Sequence, residues 1–215
     1  MELNNLVFGN PSQEHLIYLK SENYLDSLFN ELSSMPPPAN DSEETHNEII
    51  ELVRATIELS ANEPMLKRFR LYDADFEGYI VKKMVESGIL EKPVFDLIVQ
   101  LHQDIVPLLM KLKYNFNRAR PHQVAYYKEI NLHPFRSFSA DSPSYPSGHC
   151  YQAQIYAEVI GNTYPQFYKA MKGLAQDITI SRQYLGLHYP SDCQFSLYCA
   201  DLVLKHPEFR KKYKL

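Results

Sequence analysis

Residues 93–116 read "PVFDLIVQLHQDIVPLLMKLKYNF", and this long segment decides the fold class. Its apolar residues recur every three or four positions, the spacing that places side chains on one face of a helix. They are Phe95, Ile98, Leu101, Ile105, Leu108, Leu109 and Leu112. Because Pro107 lacks a backbone N–H, we expect the helix to kink there. The segment predicts a long core helix.

The rest of the chain repeats this helical character. Period-two patterns typical of strands are scarce, and only seven glycines are available as breakers. Further helices are predicted at residues 46–59, 74–87, 148–160, 165–185 and 190–204. The expected fold is all-α, a helical bundle with the active site between core helices.

Three consecutive prolines in "SSMPPPANDSEET", residues 33–45, forbid helix and favour an extended linker. Asp41 followed by Glu44 is the pattern of a capping box that opens the next helix. We therefore expect residues 1–40 to form an N-terminal helical arm with a Pro-rich linker. Residues 41–215 would form the all-helical domain, packed with the arm as one compact unit.

Composition excludes several classes of protein. The chain has 215 residues and a net charge of -4, so it lacks the basic excess that a nucleic-acid polymer requires. The first twenty residues show neither a cationic start nor an apolar run typical of a signal peptide, and no stretch approaches a membrane span. We expect a soluble and most simply cytoplasmic protein, although a mature secreted form would also fit.

The cysteines are too few and too unevenly placed for a disulfide framework or a Cys-based zinc site. Cys150, Cys193 and Cys199 are expected to be small buried side chains. For His122, which adjoins Pro121, a packing or surface role is expected, and six histidines in all lack partners at ligand spacing. These are His15, His46, His102, His122, His133 and His206.

The first of three charged clusters is "KYNFNRARP", residues 113–121. Lys113 and Arg120 are seven positions apart, nearly two helical turns, so we expect both on one side of a helix that ends before Pro121. Alone, two cations near a helix end are typical of a solvated face.

The second cluster is "PSGH", residues 146–149. Ser147 is a plausible N-cap, and with Gly148 it leaves backbone N–H groups free at the positive end of a helix. Such an end favours an anion, and His149 would lie beside it. By itself, Ser-Gly-His is also a common helix start.

The third cluster is "SRQYLGLHYPSD", residues 181–192. Arg182 falls in the last turns of a helix that Gly186 should terminate, and His188 lies in the connection to the next helix. Asp192 follows four residues later. A carboxylate there can accept a hydrogen bond from one ring nitrogen of His188, which leaves the other nitrogen bare and nucleophilic.

Together the clusters resemble the three-part signature of the type-2 phosphatidic acid phosphatase and vanadium haloperoxidase superfamily. The matching positions are Lys113, Arg120, Pro121, Pro146, Ser147, Gly148, His149, Ser181, Arg182, His188 and Asp192. "SYPSGH" looks like the soluble class A nonspecific acid phosphatases, whereas "YLGLHYPSD" looks more like the bacterial lipid-phosphatase branch. The sequence "CQFSLYCA" after Asp192 departs from the small residues that usually follow there.

The resemblance implies a role for each matched side chain. Phosphate oxygens would be held by Lys113, Arg120, Ser147, Gly148 and Arg182. The other three roles are catalytic: His188 would attack phosphorus, His149 would protonate the leaving alcohol and then activate water, and Asp192 would orient His188. These roles suit phosphoryl transfer, which depends on positioning and on opposite charge around the phosphoryl oxygens.

The resemblance predicts a metal-independent acid phosphatase that hydrolyses phosphomonoesters through a phosphohistidine. Phosphate or vanadate could occupy the site, and no metal or cofactor is expected. The partner would be a small phosphate ester, with self-association possible. Alternatives are a soluble lipid-phosphate or pyrophosphate phosphatase, a vanadate-dependent haloperoxidase, and a noncatalytic phosphate-ester-binding protein.

Overall fold

The protein is described here by a computed structural model that covers residues 2–215. Helices make up 72% of the chain, and the described residues contain no β-strand. The only extended pairing in that range is an isolated antiparallel bridge between Val7 and Arg118. The prediction of an all-α fold is confirmed.

Ten α-helices lie within the described range. They are α1 (Gln13–Lys20), α2 (Phe29–Ser33), α3 (Glu43–Ser60), α4 (Glu63–Glu86), α5 (Glu91–Phe116), α6 (Pro121–Tyr127), α7 (Gly148–Thr163), α8 (Tyr168–Tyr184), α9 (Pro190–Lys205) and α10 (Pro207–Tyr213). Three short 3-10 helices accompany them: Leu3–Asn5, Tyr24–Leu28 and Pro165–Phe167.

Helices α7, α8 and α9 lie where the sequence predicts them, but the earlier boundaries differ. α4 begins at Glu63, well before the predicted start at 74, and its backbone leaves the helical region at Asp75 (φ -166°, ψ 82°). The Asp75 carboxylate accepts a 2.8 Å hydrogen bond from the Gly78 N–H. The predicted helix is therefore the second half of α4. At α3 the N-cap is Ser42 rather than Asp41, since the Ser42 hydroxyl accepts the Thr45 N–H.

α5 forms one side of the core, as its apolar pattern predicts. Six of its seven patterned residues are buried, whereas Phe95 is 54% exposed. The helix continues through Pro107. α7 packs against α5, α8 and α9 and so occupies the centre of the bundle. This packing brings the start of α7, the end of α5 and the α8–α9 connection to one end of the molecule.

The N-terminal arm packs along α5 through α1, α2 and the intervening 3-10 helix. The division into an arm at 1–40 and a domain at 41–215 stays a prediction. No helix within residues 2–215 combines the length and the apolarity that a bilayer crossing needs. All three cysteines are buried and unbridged, and the thiols of Cys150 and Cys193 are in contact between α7 and α9.

The closest approach between α7 and the start of α8 depends on Gly161. A Cβ at this position would lie 2.5 Å from Cδ2 and 3.1 Å from the Cα of Tyr168. We expect Gly161→Ala to lower the free energy of unfolding by about 1–3 kcal/mol, because the helices would have to move apart. Gly173→Ala is the matched control, since its Cβ would meet nothing within 4 Å. It should gain about 0.5–1 kcal/mol. Urea denaturation measures both, and equal effects would contradict this packing argument.

Candidate active site

The chain leaves α5 one turn earlier than predicted, and this change sets the position of Arg120. Asn117 adopts a left-handed conformation (φ 48°) that ends α5 at Phe116. Arg120 then has an extended backbone and caps α6. The prediction that Lys113 and Arg120 share one helix is wrong. The two side chains nevertheless line the same cavity, because the extended connection turns Arg120 back toward the last turn of α5, which carries Lys113.

A cavity of about 320 Å³ lies where the three clusters converge. Five of the eight predicted site residues line it: Lys113, Arg120, Gly148, His149 and His188. The other three, Ser147, Arg182 and Asp192, have no exposed surface. They lie behind the lining residues: Asp192 against His188, Arg182 against the lining residue Ser139, and Ser147 next to Gly148. The fold thus assembles all eight around one pocket.

The tautomer of His188 is set mainly by a backbone carbonyl. Its Nδ1 lies 2.8 Å from the Ser144 carbonyl oxygen and 3.3 Å from Oδ2 of Asp192. Both partners are acceptors, so Nδ1 carries the proton and Nε2 keeps its lone pair. Arg120 Nη1 donates to that Nε2 at 3.0 Å. Asp192 therefore shares with Ser144 the orienting role that the resemblance assigns to it alone.

Asp192 is itself held by an arginine that the sequence analysis did not single out. Arg118 Nη1 donates to Asp192 at 2.6 Å, and its other terminal nitrogen lies 3.3 Å from Glu48. The guanidinium also stacks 3.8 Å above the Tyr189 ring. Ser144 donates its hydroxyl to the same Asp192 carboxylate. Burial raises the pKa of Asp192, and Arg118 opposes that shift.

Three successive carbonyls in the loop at residues 142–144 organise the pocket floor. In chain order they accept hydrogen bonds from Arg120 (2.6 and 2.9 Å), Lys113 (2.6 Å) and His188. No spacing rule marks such a loop in a sequence, because every residue carries a carbonyl. The loop supplies acceptors to side chains from three different elements.

Arg182 is anchored by α4. Its Nη1 donates to Asp73 at 2.9 Å and its Nη2 to the Ser139 hydroxyl at 3.3 Å. Burial acts to raise the pKa of Asp73, but Arg182 and hydrogen bonds from Ser137 and Ser139 outweigh it and leave that pKa lowered. Within residues 2–215 the buried Nε of Arg182 and hydroxyl of Ser147 have no hydrogen-bond partner. Both atoms keep donor capacity at the site.

Three cations of the pocket floor, Lys113, Arg120 and Arg182, are buried near one another. Lys113 and Arg120 are each 2% exposed, and Arg182 is fully buried. Burial and the neighbouring Arg120 hold the pKa of Lys113 well below its usual value. Burial and Arg182 lower the pKa of Arg120 to about 10. An anion placed among these groups would relieve their mutual repulsion, so the pocket favours a negative ligand.

His149 lies in the first turn of α7, with its ring 4.8 Å from that of Phe76. Removal from water, together with the Arg182 charge, holds the pKa of His149 well below 6.5. Burial, Arg120 and Lys113 do the same for the pKa of His188. Both imidazoles are therefore neutral at pH 7 in the ligand-free protein. Ser147 is the N-cap as predicted, yet its side chain makes no capping hydrogen bond.

The outer part of the pocket is lined by residues whose proximity the sequence did not predict. Glu14, His15 and Tyr18 of α1 line it with His102 of α5. The sequence offers no partner at ligand spacing for His15 or His102, yet both line this part of the pocket. They lie far apart in the sequence, so no local spacing could have paired them. Within the described range, no three His, Cys, Asp or Glu side chains are grouped to hold a metal ion.

A known protein family matches half of the chain. The model of the PAP2 superfamily matches residues 98–205, from within α5 to the end of α9. All eight predicted site residues fall inside this match, whereas α1 to α4 fall outside it. No curated protein matches the chain.

Arg118 should be a major contributor to stability. Arg118→Leu leaves the buried carboxylates of Asp192 and Glu48 without their cation, so we expect the free energy of unfolding to fall by about 3–5 kcal/mol. Arg118→Lys keeps the charge but loses the two-pronged geometry and should lose less. Guanidinium denaturation measures both variants.

The control is Arg54→Leu, an exposed arginine on α3. It should change stability by no more than about 0.5 kcal/mol. If Arg118→Leu were as stable as this control, the buried network would contribute nothing measurable, contrary to expectation.

Proposed function

The chain belongs to the PAP2 superfamily, whose members generally hydrolyse phosphate esters, and from that premise we propose a specific function. The protein is a metal-independent acid phosphatase that acts on small phosphomonoesters. His188 is the nucleophile and forms a phosphohistidine. No cofactor is required, and phosphate or vanadate would occupy the same pocket. Cytoplasmic location and self-association stay predictions from the sequence.

The proposed phosphate cradle combines charges and backbone donors. Lys113, Arg120 and Arg182 place three cations around one pocket. The first turn of α7, which begins at Gly148 after the N-cap Ser147, adds free backbone N–H groups. Fixed positive charge is what a phosphoryl group in transfer requires, since its oxygens carry the developing negative charge. The free donors on Arg182 and Ser147 support this assignment.

The reaction proceeds in two balanced steps. In the first, Nε2 of His188 forms a bond to phosphorus while the bond to the ester oxygen breaks, and His149 gives that oxygen its proton. In the second, His149 takes a proton from water as the water oxygen bonds to phosphorus and the P–N bond breaks. The products are the free alcohol and phosphate, and both histidines regain their first state.

One observation carries the proposal: Nε2 of the pocket-lining His188 is unprotonated, and its lone pair accepts a hydrogen bond from Arg120, which would turn to the phosphoryl oxygens when substrate binds. The Ser144 carbonyl binds the Nδ1 proton at 2.8 Å, and Arg120 meets Nε2 at 3.0 Å. A protein that only bound phosphate would need the cations but no aligned nucleophile. This favours catalysis over simple binding.

We expect the wild type to hydrolyse a chromogenic aryl phosphate, and we expect His188→Ala to lower kcat by at least about 10³-fold, because no other group can form the intermediate. Brief mixing with substrate followed by mass spectrometry should show a phosphoryl adduct on His188. Activity should survive dialysis against a chelator.

His46→Ala is the matched control, since His46 is exposed on α3 and lies outside the pocket. It should retain wild-type activity. A wild type that hydrolyses no phosphate ester, or a fully active His188→Ala, would refute the proposal.

The pH profile of kcat/KM should be bell-shaped, with its optimum below about pH 6.5. His188 must be neutral to attack, and because its pKa is lowered it stays neutral well into the acid range. His149 must be protonated, and because its pKa is also lowered it loses its proton as pH rises toward neutrality. His149→Ala should remove the alkaline limb of the profile. It should lower kcat/KM less for an aryl ester than for an alkyl ester, because an aryl leaving group needs no proton. Activity that rises steadily through alkaline pH would contradict these roles.

A further inference from the structure

The pocket has an outer wall to which α1, a helix outside the superfamily match, contributes three residues. Glu14, His15 and Tyr18 come from α1, and they face the cavity together with His102 and Asp141. The phosphate-binding floor lies inside the matched segment, whereas α1 lies outside it. The arm therefore completes a wall whose other residues, His102 and Asp141, lie inside the matched segment. This wall is placed where the alcohol part of a phosphate ester would lie.

The arm is anchored to the core beside the pocket. Val7 pairs with Arg118, and the next N–H, of Phe8, donates to the Asn117 carbonyl at 3.0 Å. Within α1, His15 is 5% exposed and its Nδ1 lies 2.7 Å from the Tyr114 hydroxyl. These contacts join the arm to the end of α5 and to the segment that leads to Arg120. The wall is thus fixed relative to the phosphate-binding floor.

The wall is polar and carries negative charge. Glu14 and Asp141 are exposed carboxylates, and Asp141 lies 3.7 Å from Nε2 of His15. The Tyr18 hydroxyl lies 3.3 Å from Nε2 of His102. Carboxylates accept hydrogen bonds from hydroxyl or ammonium groups and repel a second anion. The pocket therefore has cations at its floor and hydrogen-bond acceptors at its outer wall.

The size of the cavity also restricts the ligand. Its volume of about 320 Å³ is at the lower end of the about 300–1,000 Å³ typical of ligand pockets. Apolar lining is confined to Val106, Leu109 and Met110 of α5. These residues form one short apolar strip on a single helix face, and a long acyl chain would extend beyond it.

We propose that α1 and Asp141 form the specificity wall for the alcohol part of the substrate. This wall selects short phosphomonoesters of amino alcohols or polyols over esters that carry a further negative charge or a long acyl chain. The inference rests on the proposed function, because it assigns the alcohol side of the same phosphate site.

A charge series of esters of similar size tests the selection. The substrates are phosphoethanolamine, glycerol 3-phosphate and 3-phosphoglycerate, with phosphatidic acid in detergent micelles as the long-chain ester. We expect kcat/KM for the first two to exceed that for each of the others by about tenfold or more. In the double variant Glu14→Gln, Asp141→Asn, the ratio of phosphoethanolamine to 3-phosphoglycerate should fall about tenfold.

Glu22→Gln is the matched control, an exposed carboxylate of the arm that does not line this pocket. It should keep the wild-type ratio. Aryl phosphate hydrolysis is measured in parallel and separates the two proposals. If aryl phosphate is cleaved but 3-phosphoglycerate or phosphatidic acid is preferred, or if the double variant keeps the wild-type ratio, the wall does not select and only this inference fails. If no ester is cleaved, the proposed function fails with it.

Discussion

Three cations are buried side by side, and this constraint organises the structure around the pocket. A buried cation needs acceptors, because its desolvation is otherwise uncompensated. Lys113 and Arg120 find theirs in the carbonyls of residues 143 and 142, and Arg182 finds its acceptor in Asp73 of α4. The loop at residues 142–144 and the interrupted helix α4 thus have a shared role. Each brings an acceptor to a charge that the core could not otherwise hold.

The same requirement explains the second layer behind His188. Asp192 is fully buried, and it is compensated by Arg118, which Glu48 holds from α3. The chain of contacts runs from α3 through the α5–α6 connection to α9 and ends at the imidazole. A histidine held in this way has one tautomer and one orientation, which a nucleophile requires. The network therefore links the stability of the fold to the geometry of the site.

Two histidines with similarly lowered pKa values occupy different electrostatic settings. His188 lies next to Arg120 and Lys113, which favour its neutral form. His149 lies near Arg182 but also near Asp73, whose carboxylate favours its protonated form. A bound dianion would raise the pKa of both. These surroundings agree with opposite tasks for the two rings, because Asp73 favours the proton on His149, whereas the contact between Asp192 and Nδ1 of His188 fixes the tautomer of that ring.

The sequence by itself determined the helical class and the three clusters of side chains that lie at one pocket. The apolar period of α5, the Ser147 N-cap position and the Gly186 stop follow from local backbone preferences, which neighbouring residues express directly. The order and spacing of the three clusters also pointed to one anion pocket. Only the tertiary structure decided where Arg120 turns, that Arg118 pairs with Asp192, and that His15 and Tyr18 reach the pocket. These features depend on a left-handed Asn117, on backbone carbonyls and on packing between segments far apart in the sequence, such as Val7 with Arg118. No local pattern encodes such contacts, because the residues that make them become neighbours only when the helices pack.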